Sequence, residues 1–172
     1  MILDEYGEFC DSSGAAGATI GPGGATLTVT ASTTTQIGDL IPLSAARDLG
    51  PHNNQPLYLV LLAGTPLASA ATTSAIVFNL LTDGNTPTGS PPTLPSPSII
   101  ASSPSIALST TAIATGTVLW VQALPFEALT LYETWLGLSH TNGGVALAAG
   151  CRIDAFLTTN PPRWKPYADA VN

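Results

Sequence analysis

Ser139 and His140 bring a nucleophile and a base together, in Gly137-Leu-Ser-His-Thr141. A serine hydrolase needs a hydroxyl whose proton an imidazole can accept, with an acid orienting the imidazole. The elbow that presents such a serine reads G-x-S-x-G. Thr141 stands where its second glycine would be. Neighbouring residues of a strand point to opposite faces, so a strand through this pair would separate the two side chains. The reading is a polar strand end. His52, in Gly50-Pro-His-Asn-Asn-Gln-Pro56, reads as an exposed loop histidine. Glu127 and Glu133 offer the two carboxylates that a glycosidase sets across a cleft, but any β-protein supplies such a pair. Arg152 and Asp154 share a strand face at i and i+2 and predict a local ion pair, worth ~0–1 kcal/mol when exposed.

Cys10 and Cys151 lie far apart with no C-x-x-C, and the two histidines lack finger spacing. Two reduced, partly buried thiols are expected rather than a disulfide or a zinc site. Two histidines are too few for a cupin-like metal site, and no glycine loop has a phosphate-binding pattern. No enzyme, metal or cofactor is therefore expected.

The elements that would carry these residues read as β. Ala25–Thr30 alternates apolar and polar with period two, as a half-buried strand does. Leu57–Leu62 is a continuous apolar run between Pro56 and Gly64, as in a strand buried on both faces. Ala75–Thr82 is another, closed by the turn signal Asp83-Gly84-Asn85. Further strands are predicted within Thr117–Leu124, Thr130–Ser139 and Val145–Leu157, with Asn142-Gly143-Gly144 as a hairpin turn between the last two. Only Ser44–Leu49 suits a helical turn. Thr86–Pro104 holds six prolines among many serines and reads as a long exposed loop of extended character. Short strands, turn punctuation and no helices predict an all-β fold, a single jelly-roll or β-sandwich domain with extended N- and C-terminal arms. The expected division is an arm and Gly-rich hinge over 1–24, a jelly roll over 25–159 containing the Pro-rich loop 86–104, and a tail over 160–172.

Composition narrows the function. Of 172 residues only 9% are charged, against about 25% in an average domain, and the net charge is −7. Four Lys and Arg cannot form the basic face that neutralises phosphates, so no nucleic-acid partner is expected. The apolar fraction of 45% argues against disorder. No stretch has the ~18 apolar residues of a membrane span, so no membrane partner is expected. The acidic opening Met1–Phe9 lacks the basic and apolar regions of a signal peptide, which predicts synthesis in the cytoplasm. Between Asp48 and Glu127 the single charged residue is Asp83. Either hydroxyls coat the surface, or neighbours in an assembly cover it, since interface cores are depleted of charge.

Particular blocks carry a resemblance. Met1-Ile-Leu-Asp4, Phe9-Cys-Asp11, Ile37-Gly-Asp-Leu40, Ala46-Arg-Asp-Leu-Gly50, Pro56-Leu-Tyr-Leu-Val60, Val77–Asp83, Asp154-Ala-Phe156 and Tyr167-Ala-Asp169 follow in order along the chain. In these the sequence resembles the capsid cement (decoration) proteins of short-tailed bacteriophages of the Bordetella-phage type. Arg47–Tyr58 is the most specific element. The chain departs from the pattern in its longer Pro-rich segment and in Ser12-Ser-Gly, where Gln-Ala is usual.

The resemblance implies a jelly-roll protein, a homo-dimer or homo-trimer, on the outside of an icosahedral phage head in the virion. It would bridge neighbouring major capsid proteins and stabilise the expanded shell. The arm residues Ile2, Leu3, Tyr6 and Phe9 would bury on binding across a seam, with Asp4, Glu5, Glu8 and Asp11 meeting basic capsid residues; otherwise the arm frays. Arg47 and Asp48 would fix a corner between strands or touch the capsid. Trp164 and Tyr167 would anchor a partner subunit or pack on their own core. Net charge −7 favours an outer position over an inner face that repels DNA. A carbohydrate-binding β-sandwich is the alternative, and would need Trp120, Trp135 and Trp164 as an exposed platform.

Overall fold

The computed structural model describes residues 8–10, 34–43, 57–69, 74–90, 92–124, 133–143, 147–148 and 151–159. Their regular structure is all β: β1 (Glu8–Cys10), β2 (Thr34–Pro42), β3 (Leu57–Ala63), β4 (Ser74–Asp83), β5 (Ser98–Ser102), β6 (Ile106–Leu108), β7 (Val118–Leu124), β8 (Trp135–Asn142) and β9 (Ile153–Thr158). One antiparallel sheet runs β1-β9-β3-β7 and the other β2-β8-β4-β5, with β6 also paired to β4.

β5 meets one half of β4 and β6 the other, from Asn79↔Ser102 to Ser74↔Leu108. They act as one edge strand interrupted at Ser103-Pro104-Ser105. Pro104 has no N–H to give the ladder, and Ser103 bridges the gap. The Phe78 N–H donates to Ser103 Oγ at 3.0 Å, and the Ser103 N–H donates to the Phe78 carbonyl at 2.8 Å. With β5 and β6 counted together, each sheet has four described strands, and among these only β4 and β5 are neighbours both in the chain and in a sheet. Every other step crosses between sheets. That wrapping is the jelly roll.

β3 runs between β9 and β7 and is apolar on both faces. Leu57, Leu59, Leu61 and Ala63 enter the main core with Ile76, Phe78, Leu80, Leu136, Leu138 and Trp120. Val60 and Leu62 face the other way and cluster with Phe156. A continuous apolar run is what a strand buried on both sides requires.

Two local expectations are corrected. Asn142-Gly143-Gly144 does not join β8 and β9 as a hairpin, because those strands lie in different sheets. The Gly143 N–H instead donates to the Ala75 carbonyl at 2.7 Å, prolonging the pairing of β8 with β4. The Pro-rich segment 86–104 is not all loop, since Ser98–Ser102 is a strand. Its prolines are compatible with pairing on one side, which is all an edge strand needs. The predicted strand Ala25–Thr30 and helical turn Ser44–Leu49 lie outside the described residues.

At one end of the sandwich, connecting segments are stitched together by the bridges Leu67↔Ile113 and Ser69↔Leu147. Cys151 sits there, accepting the Ala68 N–H at Sγ over 3.5 Å. Both Cys10 and Cys151 are buried, and neither forms a disulfide.

Candidate contact surface

Ser139 and His140 are not at a strand end. They lie within β8, each 1% exposed, because β8 runs to Asn142 between β2 and β4. Their side chains point to opposite faces. His140 faces the core across from Phe78, with ring centroids 6.5 Å apart. Ser139 faces outward between Gln36 and Asn79. Among the described residues neither imidazole nitrogen nor Ser139 Oγ has a hydrogen-bond partner. Burial lowers the His140 pKa to about 4, so the ring is neutral at pH 7. A serine and a histidine on opposite faces cannot exchange a proton directly. Glu133 is exposed just ahead of β8. Its suggested partner Glu127 lies outside the described residues, as does His52. Among the described residues no cluster of His, Cys, Asp or Glu is arranged to hold a metal ion.

Among the described residues the buried carboxylate is Asp83, fully enclosed at the end of β4. It organises the β4–β5 connection. Asp83 Oδ1 accepts the Asn85 N–H and Nδ2–H, both at 2.8 Å, and Oδ2 accepts the Ser96 N–H at 2.7 Å. One side chain thus holds both ends of the loop. Burial pushes the Asp83 carboxyl up, but these three N–H donors outweigh it and keep the pKa below the ordinary carboxylate value.

Gln36 of β2 clamps the middle of the same loop, its Nε2 donating to the Pro92 carbonyl at 3.0 Å and its Oε1 accepting the Leu94 N–H at 2.9 Å. Thr88 and Thr93 exchange backbone hydrogen bonds across the tip, at 3.0 and 2.8 Å. Leu94 is driven onto the outer face of the sheet. Gly137 makes room for it, since a Cβ there would lie 2.8 Å from Leu94 Cδ1 and 3.0 Å from Leu40 Cδ2. The loop is therefore fixed along its length while Thr86, Thr88, Ser90, Pro95 and Pro97 stay exposed or partly so. Ordering a chain segment costs about 1–2 kcal/mol per residue, so a loop anchored this way is shaped before it meets anything.

The loop continues into an uncharged flank. β1 and β2, which are in contact, end the two sheets on one side, and β7 and the β5–β6 strand end them on the other. From Gly84 to Phe126 the chain contains no Asp, Glu, Lys, Arg or His. Those residues supply the loop, β5, β6 and β7. Three large hydrophobic side chains stand exposed among the described residues, and all lie on this flank: Ile99 at 60%, Val118 at 47% and Val121 at 44%. The opposite flank carries Glu8 on β1 and Asp39 on β2. Sequence reading had the absence of charge but not its location, because the strand order that gathers these segments is set by long-range pairing.

The predicted contact residues divide unequally. Phe9 lies in β1, fully buried in the chain's own core beside Ile37 and Cys10. Its ring is used within the fold, which corrects the expectation that it buries against a partner. Glu8–Cys10 likewise belongs to the sandwich rather than to an arm, held against β9 by Glu8↔Phe156 and Cys10↔Ala155. Ile2, Leu3, Asp4, Tyr6, Arg47, Asp48, Trp164 and Tyr167 lie outside the described residues. Of the tryptophans suggested as a sugar platform, Trp120 is core at 6% exposure and Trp135 is half-buried, while Trp164 lies outside the described residues.

Comparison with models of known protein families gives no match, and comparison with curated proteins gives none either.

Proposed function

We propose that this protein is a capsid cement protein, which binds the outside of an icosahedral phage head and clamps neighbouring major capsid proteins. The observation that carries the reading is the uncharged flank, where the anchored loop leads into β5 and Ile99 stands 60% exposed. A shell clamp works by adding buried area across joints between capsomers. A standard interface buries roughly 1,600 Å² in total, and its core is depleted of charge. The anchored loop suits that role because little of its binding free energy is lost to ordering. The resemblance of Arg47–Tyr58 and of the terminal blocks to phage cement proteins points the same way. An oligomer touching the shell at two or three places gains about 10²–10⁴ in avidity over one contact.

The test is co-sedimentation with expanded heads that lack this protein. The expected result is stoichiometric binding that survives 1 M salt, because an uncharged interface is little screened. Ile99→Lys is expected to lower head occupancy without lowering the melting temperature. Stripping by salt, or no binding at all, refutes the reading. Absent head binding together with hits on a glycan array would put a carbohydrate-binding sandwich in its place.

A further inference from the structure

The four sheet edges are not alike. β1 is three residues long and carries Glu8. β2 carries Asp39, ends in Pro42 and shifts register between Ile37 and Ile41. The β5–β6 edge is broken at Ser103-Pro104-Ser105 and preceded by Pro95 and Pro97. Short length, charge, proline and bulges are the devices that keep a sheet edge from pairing with another chain. β7 reads Val-Leu-Trp-Val-Gln-Ala-Leu: seven residues with no charge and no proline. Its register shifts once, near its start between Trp120 and Val118, and among the described strands it pairs with β3 alone. Val118 and Val121 stand exposed on it.

We infer that β7 is the self-association surface of this protein, pairing antiparallel with β7 of a second copy across a two-fold axis and joining two four-stranded sheets into one of eight. The inference rests on the cement reading only for its purpose. The occupant follows from charge and symmetry. Two copies each carrying −7 repel one another wherever acidic residues meet, and β7 belongs to the charge-free run 84–126. A partner recognised by charge would find nothing here to pair with.

Symmetry also fixes the register. Directly opposed residues of an antiparallel pair share a face, and successive residues alternate faces. The two-fold axis must therefore pass through a residue rather than between two. Centred on Val121 it uses the strand from its bulge onward: Trp120 opposes the partner's Gln122, and Gln122 the partner's Trp120, all on the inner face. Val121 then meets its own copy, an isologous contact that closes at two subunits.

The experiment uses light scattering with size exclusion, then disulfide trapping, on the full chain. Wild type is expected at twice the monomer mass, and Val121→Lys at the monomer mass with an unchanged melting temperature. Opposed residues of an antiparallel pair lie about 4.5–5.5 Å apart at Cα, within the range a disulfide spans. Val121→Cys should therefore cross-link to a dimer under mild oxidation, whereas Ile99→Cys, on the other sheet's edge, should not. The native Cys10 and Cys151 are buried and give little background. A monomeric wild type overturns the inference, and so does a dimer that Val121→Lys leaves intact or that Val121→Cys does not trap. Head binding is read in parallel. Wild type that sediments with heads while failing these tests sinks the β7 interface and leaves the cement reading standing. A trapped β7 dimer that ignores heads does the reverse.

Discussion

His140 should make this fold sensitive to mild acid. The ring lies 1% exposed between Thr35 on β2 and Phe78 on β4, neither of which ionises. Protonating it in place means putting a charge into the core with no acceptor for either N–H. Its pKa therefore falls from the ordinary 6.5 to about 4, the cause being burial. Between those values the unfolded chain takes up a proton that the folded chain refuses, so stability falls as pH falls. At 1.36 kcal/mol per pH unit the full effect is about 3 kcal/mol. About 2 kcal/mol should be gone by pH 5, and little should change between pH 7 and 8. Urea unfolding at half-unit steps from pH 8 to pH 4 measures this directly. His140→Leu, close in volume and matching Leu136 and Leu138 along the same face of β8, should flatten the curve between pH 7 and pH 5. It should also hold or raise stability at pH 7, since two unsatisfied nitrogens leave the core. His52→Gln in parallel isolates the second histidine. A wild-type curve flat from pH 7 to pH 5, or a His140→Leu variant that keeps the slope, refutes the reasoning.

Asp83 titrates on the other side of that window. Its folded pKa lies below 3.8, so its contribution is present above that value and is lost only as pH falls beneath it. Asp83→Ala, which removes both acceptor oxygens, should free both ends of the loop, seen as protease cleavage between Gly84 and Pro97 in a protein whose core amides stay protected. Ser103→Ala should cost about 1–3 kcal/mol and speed exchange of the Phe78 amide specifically, since that N–H loses its acceptor. Leu59→Ala, at 0% exposure in the central strand β3, should cost about 2–5 kcal/mol in urea unfolding. Gly38→Ala should be worse than its size suggests: Gly38 has φ +70, and a Cβ there overlaps the Phe9 carbonyl oxygen, so β1 should detach while β8 and β4 stay protected from amide exchange.

What could be read from the sequence was local. Leu57–Leu62, between Pro56 and Gly64, and Ala75–Thr82, closed by a turn signal, announce strands because so short a bounded apolar run has few other uses, and both are strands with nearly those limits. Asp83-Gly84-Asn85 announces a turn because Asp and Asn bond their own backbone, as Asp83 does with Asn85. Two strands of a jelly roll that follow in sequence usually lie in different sheets, and no local signal records that. Asn142-Gly143-Gly144 has hairpin chemistry but sits where the chain crosses over. Ser139 and His140 look like the end of a polar run, yet β8 is central and encloses both. Phe9 looks like an anchor on an acidic arm until β1 is seen paired with β9. The charge-free run 84–126 is plain in the sequence, and so is the lack of a basic face. That this run forms one flank, with Val118, Val121 and Ile99 exposed along it, was decided by the tertiary structure alone. The physical reason is that strand order depends on pairings between residues far apart in the chain, and those follow from how two apolar sheet faces close on one another rather than from any segment by itself.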